Sequence, residues 1–571
     1  MKKILGIQKD HNSSACLFYD DELIYYNQEE RLSRIKKDSG LPVETLKKIC
    51  EISPEIDVLL ISGYDNVQAE SHSIISIVQK LGFKFSESFE FIPYFKSHHL
   101  MHAAKAFYSS GFENALIIVQ DGRGSYYNLN NGGIAFESTS VFSTDLSNKF
   151  DLIYRRLFTH SKVNDNTKVI WDNNFTLDKI DRPEYLNKDT KVEIRNDFDI
   201  GFMYEGTARG IGFDDEGGKM MGLQSYGSND DALPSPLTDD LKFNMDIFHF
   251  DRLNKVVGLN HFKYHNLVTI KDKTNFAFMV QQALQTVGLK LIQDMLSQTG
   301  HKNIILTGGI ALNVIANNFY RQQLDKNINI YVEPICGDEG NCIGICQYYY
   351  NTKYKPAVKK QLNSIYICGN EPTYSFDLKE NENEIYGDES VVSELLQAGH
   401  IVALFQGKGE AGPRALGNRS LLYDPRVVDG KNIVNNVKRR EYFRPFAASV
   451  MLEHANDWFE LDNIEKSPFM MYAVKVREGK KELVPAVIHV DNSCRIQTVA
   501  TLENKNLYNL IKCFYEKTKI PMLLNTSFNL AGDPIVETVE DALESLRKSH
   551  IQYLYLPDVN KVIYVPNNPK S

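Results

Sequence analysis

Three histidines lie close together in the segment KSHHLMHAAKAFYSSG, and two of them have the spacing of a metal site. His98 and His102 are four residues apart, so on a helix both imidazoles lie on one face and can hold one ion. His99 lies on another side of that helix and is a candidate for contact with a molecule that accepts a transferred group, or with the phosphate of a ligand. An isolated pair of this kind more often consists of solvated or core histidines. The pair alone therefore does not predict a metal.

Two aspartates supply the missing ligands. Asp121 ends the apolar run ALIIVQD, and Asp338 lies in the glycine turn that follows IYVEPIC. A side chain at the end of a strand can point out of the sheet. Two imidazoles and two carboxylates form a mixed nitrogen and oxygen site, which suits iron, manganese or zinc. The four residues together predict a transition-metal site and leave the identity of the metal open.

Glycine pairs elsewhere are candidates for contact with phosphates. Gly308 and Gly309 follow the strand NIILT and precede a helix, whose positive end favours an anion. Lys219 lies among glycines in EGGKMMGLQSYG. Ordinary turns contain the same residues, so each signal is weak by itself.

The segment LFQGKGEAGPRALGNRS, at 404–420, contains a GxGxxG pattern after a strand, with Asp429 near the position of the expected acid. Pro413 fits poorly at the turn of a dinucleotide-binding fold, and Arg414 and Arg419 would crowd it with charge. Guanidinium groups bind phosphate oxygens through paired hydrogen bonds, and the glycines leave room for them. The segment predicts a phosphate site of another kind.

Three later segments also place cations or hydroxyls at turns: KRREYFRPFAASV, DNSCRIQTV and LLNTSFNLAGDPIV. Solvated charges are the alternative interpretation, but arginine is rare inside a run as apolar as FRPFAASVML unless an anion neutralises it. We therefore expect these segments to meet around one nucleotide. The side chains concerned are Lys438, Arg440, Arg444, Arg495, Asn525, Thr526, Ser527 and Asn529.

The composition limits the class of protein. A chain of 571 residues is too long for one core, and its net charge of −9 argues against a general nucleic-acid binder. No apolar run is long enough to span a bilayer, and the first residues lack the apolar core of a secretory signal. Eight scattered cysteines suit a reducing cytoplasm, and Cys336, Cys342 and Cys346 are expected to be core thiols.

The elements that must position these residues predict an α/β protein without an internal repeat. KILGI, ACLFY and ELIYYN form a strand meander, ALIIVQ is a buried strand, and residues 275–296 form a long helix. The basic segment 351–364 contains a proline and marks the main boundary, which gives domains 1–355 and 362–571. Polar segments near 147–199 and 228–266 are expected to be insertions over a site.

In their order along the chain, these motifs resemble those of the O-carbamoyltransferase family of nodulation-factor and antibiotic biosynthesis, which includes nebramycin synthase-like enzymes. The matching segments are HHLMHA, the strand-ending Asp121, KMMGLQSYG, GGIALN, GPRALGNRS, FRPFAASV and LNTSFN. They cover nearly the whole chain. The resemblance implies an N-terminal actin/hexokinase-like ATPase (ASKHA) domain and a C-terminal YrdC-like domain.

The resemblance also implies an enzyme that forms carbamoyl-AMP from carbamoyl phosphate and ATP and transfers the carbamoyl group to a hydroxyl. It implies Mg²⁺ at the phosphates and Fe²⁺ or another divalent transition metal on His98, His102, Asp121 and Asp338. Catalytic roles are expected for His11 or His99, as the base, and for Lys438, Arg495 and Ser527. Residues expected to bind cofactors are Lys219, Gly308, Gly309, Asn313, Arg414, Arg419, Arg440, Arg444, Asn525, Thr526 and Asn529.

Two motifs depart from the family pattern. HNSSA stands where HDASA is usual, so Asn12 replaces an acid near the acceptor. GKGEAGPRALG stands where GRMEWGPRALG is usual, which removes an aromatic wall and an arginine, with Lys408 as the candidate substitute.

The acceptor is left open among a sugar, a natural product and a hydroxymethylated nucleotide or DNA, with a small soluble molecule favoured by the acidic charge. A tRNA threonylcarbamoyl-type transferase is the alternative enzyme, and it would use bicarbonate and threonine as donors. A non-catalytic ATP-binding regulator is the third interpretation, which predicts nucleotide binding without turnover. A cytoplasmic protein without a membrane partner is expected in each case.

Overall fold

The computed structural model divides the chain into two compact units. The first contains Met1–Tyr26 and Ser39–Asn363, and the second contains Asn27–Asp38 and Ser364–Ser571. These units differ from domains 1–355 and 362–571 mainly in the short segment 27–38, which belongs to the second unit. The structure describes residues 1–63, 67–94, 96–128, 134–159, 168–169, 190–195, 199–213, 217–244, 269–356 and 364–566.

The fold is mixed α/β, as the sequence predicts. Residues 3–93 contain β1 (Lys3–Gln8), β2 (Ser14–Tyr19), β3 (Glu22–Gln28), α1 (Glu29–Ser33), α2 (Val43–Ile52), β4 (Glu55–Ser62), α3 (Val67–Lys80) and β5 (Lys84–Pro93). Residues 98–354 contain α4 (His98–Ser110), β6 (Asn114–Gln120), β7 (Tyr126–Asn128), β8 (Ile134–Asp145), β9 (Phe150–Thr159), β10 (Lys168–Val169), β11 (Lys191–Arg195), α5 (Ile200–Gly210), α6 (Gly217–Leu223), α7 (Ile270–Thr299), β12 (Asn303–Thr307), α8 (Val314–Gln323), β13 (Asn329–Val332) and α9 (Asn341–Tyr354).

The two sheets of the first unit repeat one topology, which the sequence did not predict. In the first, the strands lie in the order β3-β2-β1-β4-β5, with β1 antiparallel to β2 and parallel to β4. In the second, the order β9-β8-β6-β12-β13 has the same pattern, since β6 is antiparallel to β8 and parallel to β12. Strands β10 and β11 extend the second sheet beyond β9.

Two helices, α4 and α9, lie against each other and bring the two sheets together. Helix α4 also contacts β6 and β12, whereas α9 contacts β1, β2 and β4. A Cβ on Gly344 would lie 2.3 Å from the carbonyl oxygen of Met101, so only glycine permits the close approach of α9 to α4. Because His98 and His102 begin α4 and Asp338 directly precedes α9, this helix pair determines where the predicted ligands meet.

Strand β1 is buried on both faces, as expected for a central strand. Leu5 and Ile7 join the core beneath α2 and α3. On the other face, a Cβ on Gly6 would lie 2.5 Å from Cys346 Sγ, so α9 packs directly on the strand. Cys336, Cys342 and Cys346 are buried and form no disulfide, which confirms the prediction of core thiols.

Part of the first predicted insertion forms strands of the second sheet. The region near 147–199 includes β9 and β11, which pair with each other in parallel within the second sheet. Residues 160–167, 170–189 and 196–198 of that region lie outside the described residues, as do residues 245–266 of the second predicted insertion.

The second unit is built on a nine-stranded mixed sheet in the order β15-β24-β23-β16-β18-β22-β19-β21-β20. Its elements after the boundary are β14 (Tyr366–Cys368), β15 (Asn383–Tyr386), α10 (Glu389–Gln397), β16 (Val402–Phe405), β17 (Gly409–Glu410), β18 (Arg419–Tyr423), α11 (Gly430–Val437), β19 (Ala447–Met451), α12 (Leu452–Trp458), β20 (Ala473–Lys475), β21 (Ser493–Val499), α13 (Lys505–Thr518), β22 (Met522–Ser527), α14 (Val539–Arg547), β23 (Tyr553–Leu556) and β24 (Lys561–Tyr564). Across the described part of the chain, no helix has the length and apolar character that a bilayer crossing requires.

Candidate functional site

Two imidazoles near the N-terminus of α4 point toward each other. His98 and His102 are both buried, and their Nε2 atoms lie 3.1 Å apart. The helix runs to Ser110 and ends at Gly111, which has the left-handed φ of 74° that glycine tolerates. The predicted helix and the predicted side-by-side histidines are therefore both confirmed.

The two predicted aspartates lie at the same point. His98 Nε2 is 3.3 Å from Asp121 Oδ2 and 3.2 Å from Asp338 Oδ1. His102 Nε2 is 3.3 Å from Asp338 Oδ1 and 3.9 Å from Asp121 Oδ2. One donor atom from each of the four residues falls within a cluster in which no separation exceeds 4.8 Å.

This cluster has the composition and spacing that a divalent transition metal requires. Two atoms that each lie about 2.1 Å from one ion are about 3.0 Å apart at a right angle and about 3.4 Å apart at a tetrahedral angle. Most of the observed separations lie in or near this range. Two imidazole nitrogens and two carboxylate oxygens suit iron, manganese, cobalt or zinc. The residues therefore fit a metal centre.

The glycine pair at the end of β12 orients one of these ligands. The backbone N–H of Gly309 donates a hydrogen bond of 3.1 Å to Asp121 Oδ1. Gly308 has a φ of 86°, and a Cβ there would lie 2.3 Å from the carbonyl oxygen of Gln120. Gly309 thus contacts the Asp121 carboxylate, and the phosphate role predicted for the two glycines stays a prediction.

In the absence of metal, electrostatics at the four residues favour a protonated His98 beside an ionised Asp338. Burial lowers the pKa of His98, but the charges and hydrogen bonds of Asp338 and Asp121 outweigh burial and raise it to about 10. Burial also raises the pKa of Asp338, and His98 and His102 outweigh it and bring that pKa well below its usual range. Protons and a metal ion must therefore compete for the same atoms.

The two candidate bases have different environments. His11 has a side chain that is 53% exposed, and its Nδ1 lies 3.9 Å from Asp338 Oδ2. His99 is fully buried, its Nδ1 lies 2.8 Å from Ser140 Oγ, and burial with the charges of His98 and Arg155 lowers its pKa well below the usual value. Only His11 of these two can meet an acceptor without rearrangement.

A buried polar network supports His99, and the sequence did not predict it. Arg155 Nη1 lies 2.7 Å from Glu137 Oε1, and its Nε donates to Ser140 Oγ over 3.1 Å. Tyr127 donates to Glu137 Oε1 over 2.8 Å. Strands β8 and β9 carry most of this network, but nothing in the sequence marks Glu137 and Arg155 as partners.

Two further residues of the first unit were predicted to bind a cofactor, Asn313 and Lys219. Asn313 Oδ1 accepts from Ala316 N over 3.0 Å and thereby caps α8, and its Nδ2 donates to Gln281 over 2.9 Å. Lys219 is half-buried on α6. The cofactor roles of both residues remain predictions.

In the second unit, three neighbouring strands align two of the predicted residues. Ala447 of β19 is paired with Arg495 of β21 on one side and with Asn525 of β22 on the other. Cross-strand partners point to the same face, so only the methyl group of Ala447 separates the two longer side chains. Asn525 is fully buried and donates to Ser449 Oγ over 2.8 Å, so it anchors this row.

The end of β22 meets the cations of the segment KRREYFR. Lys438 donates to the backbone oxygen of Ser527 and lies 3.3 Å from its Oγ and 3.2 Å from Asn529 Oδ1. Arg440 donates to Thr526 Oγ1 over 3.3 Å. The structure therefore brings together residues from segments that are about ninety positions apart in the sequence.

Mutual repulsion identifies this group as a cationic cluster, which we define as Lys438, Arg440, Arg444, Arg414 and Arg495. Burial and the charges of Arg440 and Arg444 hold the pKa of Lys438 well below its usual range. Burial and the charges of Arg414, Arg440 and Arg444 lower the pKa of Arg495 in the same way. Guanidinium groups stay protonated in proteins, so burial and neighbouring positive charges both disfavour this arrangement, and a bound anion would offset them; Glu441 lies 3.5 Å from Arg444 Nη1.

Arg419 lies in a different environment from the cationic cluster. Its guanidinium donates to the backbone oxygens of Gln406 over 2.6 Å and Asn418 over 3.0 Å, and it stacks 3.7 Å from the centre of the Phe405 ring. Glu410 Oε1 accepts from three backbone N–H groups of the same loop, at Leu416, Asn418 and Arg419. The GPRALGNR loop thus folds around Glu410, and Arg419 supports that loop.

Comparisons with known proteins support the family that the order of the motifs indicates. The family "Carbamoyltransferase N-terminus" matches residues 74–346, and "Carbamoyltransferase C-terminus" matches residues 393–561. Nodulation protein NolNO of Sinorhizobium fredii is 30% identical over 93% of this chain and 76% of its own. The 3'-hydroxymethylcephem-O-carbamoyltransferase of Streptomyces clavuligerus is 30% identical over 45% of this chain and 48% of its own.

The match to the solved structure of T. kodakarensis HypF covers 61% of this chain and 47% of that one, with 12% identity and a TM-score of 0.35. The two family matches together span most of the chain, one in each unit. With the relatives above, they establish that the protein is an enzyme. The chain belongs to the carbamoyltransferase family.

Proposed function

We propose that the protein is an ATP-dependent O-carbamoyltransferase that activates a carbamoyl group in its second unit and transfers it in its first. The observation that carries this proposal is the cationic cluster beside Ser527. Five cations gathered at one place, with Lys438 buried and Arg495 partly buried, would form a site for several phosphate groups. The site lies in the unit that matches the carbamoyltransferase C-terminus.

The activation step follows from the chemistry of the donor. Water releases phosphate from carbamoyl phosphate, and an oxygen of the resulting carbamate attacks the α-phosphorus of ATP. Pyrophosphate leaves, and carbamoyl-AMP remains. Arg495 and Lys438 would neutralise the charge that develops on the phosphate oxygens, and the Ser527 hydroxyl would fix their orientation. Mg²⁺ is expected to bridge the phosphates of ATP.

The transfer step replaces AMP by the acceptor hydroxyl at the carbamoyl carbon, and the hydroxyl loses its proton. In the first unit His98, His102, Asp121 and Asp338 would hold a divalent metal, Fe²⁺ or a similar ion, which supplies Lewis-acid chemistry when bound. His11 is the candidate acceptor of the proton, because its side chain is exposed beside Asp338. Asp121 is kept in position by the N–H of Gly309.

We also propose that the first unit is of the actin/hexokinase-like ATPase type and the second of the YrdC-like type. The repeated strand order of its two sheets supports the first assignment. A mixed sheet with cations gathered at β21 and β22 is compatible with the second. Lys219, Gly308 and Asn313 would then bind the adenylate beside the metal.

The acceptor is proposed to be a small molecule with a free hydroxyl, such as a sugar or a natural product. The name of the relative from Streptomyces clavuligerus, a carbamoyltransferase for a hydroxymethyl group, supports an alcohol as acceptor. A nucleotide acceptor is the other class that an activity screen must include.

Exchange of labelled pyrophosphate into ATP tests the proposal. The purified full-length protein should catalyse exchange when carbamoyl phosphate is present and not when ATP is alone. Exchange that depends on bicarbonate and threonine would favour the threonylcarbamoyl-type alternative. ATP binding in equilibrium dialysis without exchange under either condition would contradict the proposed activation step.

A further inference from the structure

Asn341 is a buried polar residue beside the metal site, and no sequence motif pointed to it. It is the first residue of α9, three positions after Asp338, and it is 0% exposed. Its Nδ2 lies 3.3 Å from His102 Nε2. Among the residues that the structure describes, none donates a hydrogen bond to its Oδ1.

The contact between Asn341 and His102 is incompatible with a bound metal. The Nε2 of a neutral imidazole has one lone pair, and an ion held by that atom uses it. The amide N–H of Asn341 would then lose its acceptor in a buried environment, which is costly. A half-turn of the amide group exchanges the positions of Nδ2 and Oδ1, so that the carbonyl oxygen, in place of an N–H, lies beside His102 Nε2.

That half-turn places a carbonyl oxygen where a ligand is expected. The separation of 3.3 Å from His102 Nε2 is close to the distances of 3.2 Å and 3.3 Å from His98 Nε2 to the Asp338 and Asp121 oxygens. Amide oxygens are ordinary ligands of divalent cations. The unbonded Oδ1 would thereby gain a partner.

We propose that Asn341 Oδ1 is a fifth protein ligand of the metal. The inference rests on the proposed metal centre and adds to its four residues. Two nitrogens and three oxygens exceed the four ligands that a closed tetrahedral zinc site takes, and they suit ions that accept five or six ligands, such as Fe²⁺, Mn²⁺ and Co²⁺. A six-coordinate ion would retain one position for the substrate.

Titration of the metal-stripped, full-length protein with Co²⁺ tests this proposal, because the visible absorption of Co²⁺ is several-fold stronger with four ligands than with five or six. Wild type should show weak absorption. Asn341→Leu, whose side chain has a similar size and excludes water, should bind Co²⁺ about tenfold to a hundredfold more weakly and absorb several-fold more strongly. Asn351→Ala is the matched control, because Asn351 is buried on the same helix and donates instead to the Gln347 backbone.

A second variant keeps the test decisive if Asn341→Leu does not fold. Asn341→Asp retains an oxygen and adds a charge, so it should bind Co²⁺ at least about tenfold more tightly than wild type. A wild-type spectrum and affinity in either folded variant would overturn the proposal for Asn341 while leaving the four-residue centre intact. Failure of wild type itself to bind Co²⁺ would overturn the metal centre and this inference together.

Discussion

The backbone N–H of Gly309 donates a hydrogen bond of 3.1 Å to Oδ1 of Asp121. The other carboxylate oxygen, Oδ2, faces His98 and His102. Asp121 therefore has one oxygen engaged by the backbone and one directed at the metal site, which fixes its orientation. A Cβ on Gly309 would lie 2.9 Å from Asp121 Oδ1, so a glycine at this position lets the carboxylate approach the backbone closely.

Gly308→Ala should unfold the protein more easily and weaken metal binding. A Cβ would meet the Gln120 carbonyl oxygen at 2.3 Å, and the left-handed φ of 86° adds strain. We expect a loss of about 2–4 kcal/mol in the free energy of unfolding, measured by denaturant titration. Gly300→Ala is the control, because Gly300 also has a left-handed φ but has open space around it, and about 1 kcal/mol is expected there. Equal losses in the two variants would contradict the proposed clash.

Metal binding should release a proton near neutral pH. His98 has a pKa of about 10 in the metal-free protein, so it is protonated at pH 7.5, and an ion on Nε2 must displace that proton. Calorimetry in buffers with different ionisation enthalpies should report release of about one proton per ion, with affinity rising as the pH rises toward 10. Binding enthalpies that do not depend on the buffer would refute the assignment.

The raised pKa of His98 also affects the stability of the metal-free protein. Because the folded-state pKa of His98 lies above its ordinary value of 6.5, the protonated histidine stabilises the fold fully below pH 6.5. That contribution is lost as the pH rises toward 10. The melting temperature of the metal-free protein should therefore fall over this interval, and His98→Ala should remove this part of the pH dependence.

A buried ion pair on α4 should be essential to the first unit. Lys105 Nζ and Glu333 Oε1 are 2.8 Å apart, with 2% and 0% of their side chains exposed. Lys105→Met leaves a buried carboxylate without its counter-ion and should cost about 3–5 kcal/mol in the free energy of unfolding. The exposed pair of Lys290 and Asp294 is the control, since Lys290→Met should cost less than about 1 kcal/mol. A small loss for Lys105→Met would contradict the role assigned to burial.

Substitution of the two candidate bases should affect different properties: carbamoyl transfer for His11 and stability for His99. His11→Ala should lower carbamoyl transfer about a hundredfold or more with little change in melting temperature, because its side chain is half exposed. His99→Ala should mainly destabilise the protein, because it removes a buried partner of Ser140. Transfer and thermal unfolding, measured on both variants, check this. Wild-type transfer in His11→Ala would exclude it as the base.

The sequence predicted the elements of the first unit better than their arrangement. Local patterns suffice for α4 and β6, because helical spacing in HHLMHA and a glycine after SS mark one, and an apolar run marks the other. The repeated strand order leaves no such pattern, since different apolar residues form equivalent strands. Pairings such as Gly309 with Asp121 join residues 188 positions apart and depend on tertiary contacts.

Some predicted site residues have contacts that residue type could not reveal. Arg414 and Arg419 occur in one loop, but Arg414 adds its charge to the cationic cluster, whereas Arg419 turns to backbone oxygens and Phe405. The sequence also gives no sign that residues 27–38 belong to the second unit, because Arg31 and Arg34 have the appearance of ordinary surface charges. In the fold, Arg31 is buried and donates to the backbone oxygen of Glu410 over 3.3 Å.

The central claim is that activation and transfer belong to different units, and matched variants measured in two assays test it most directly. Arg495→Ala should abolish both carbamoyl phosphate-dependent pyrophosphate exchange and carbamoyl transfer, whereas His102→Ala should keep exchange and lose transfer. Arg477→Ala, whose guanidinium lies at the Asn456 backbone, should leave both activities unchanged. Loss of exchange in a folded His102→Ala protein, or persistence of exchange in Arg495→Ala, would contradict this division of the reaction.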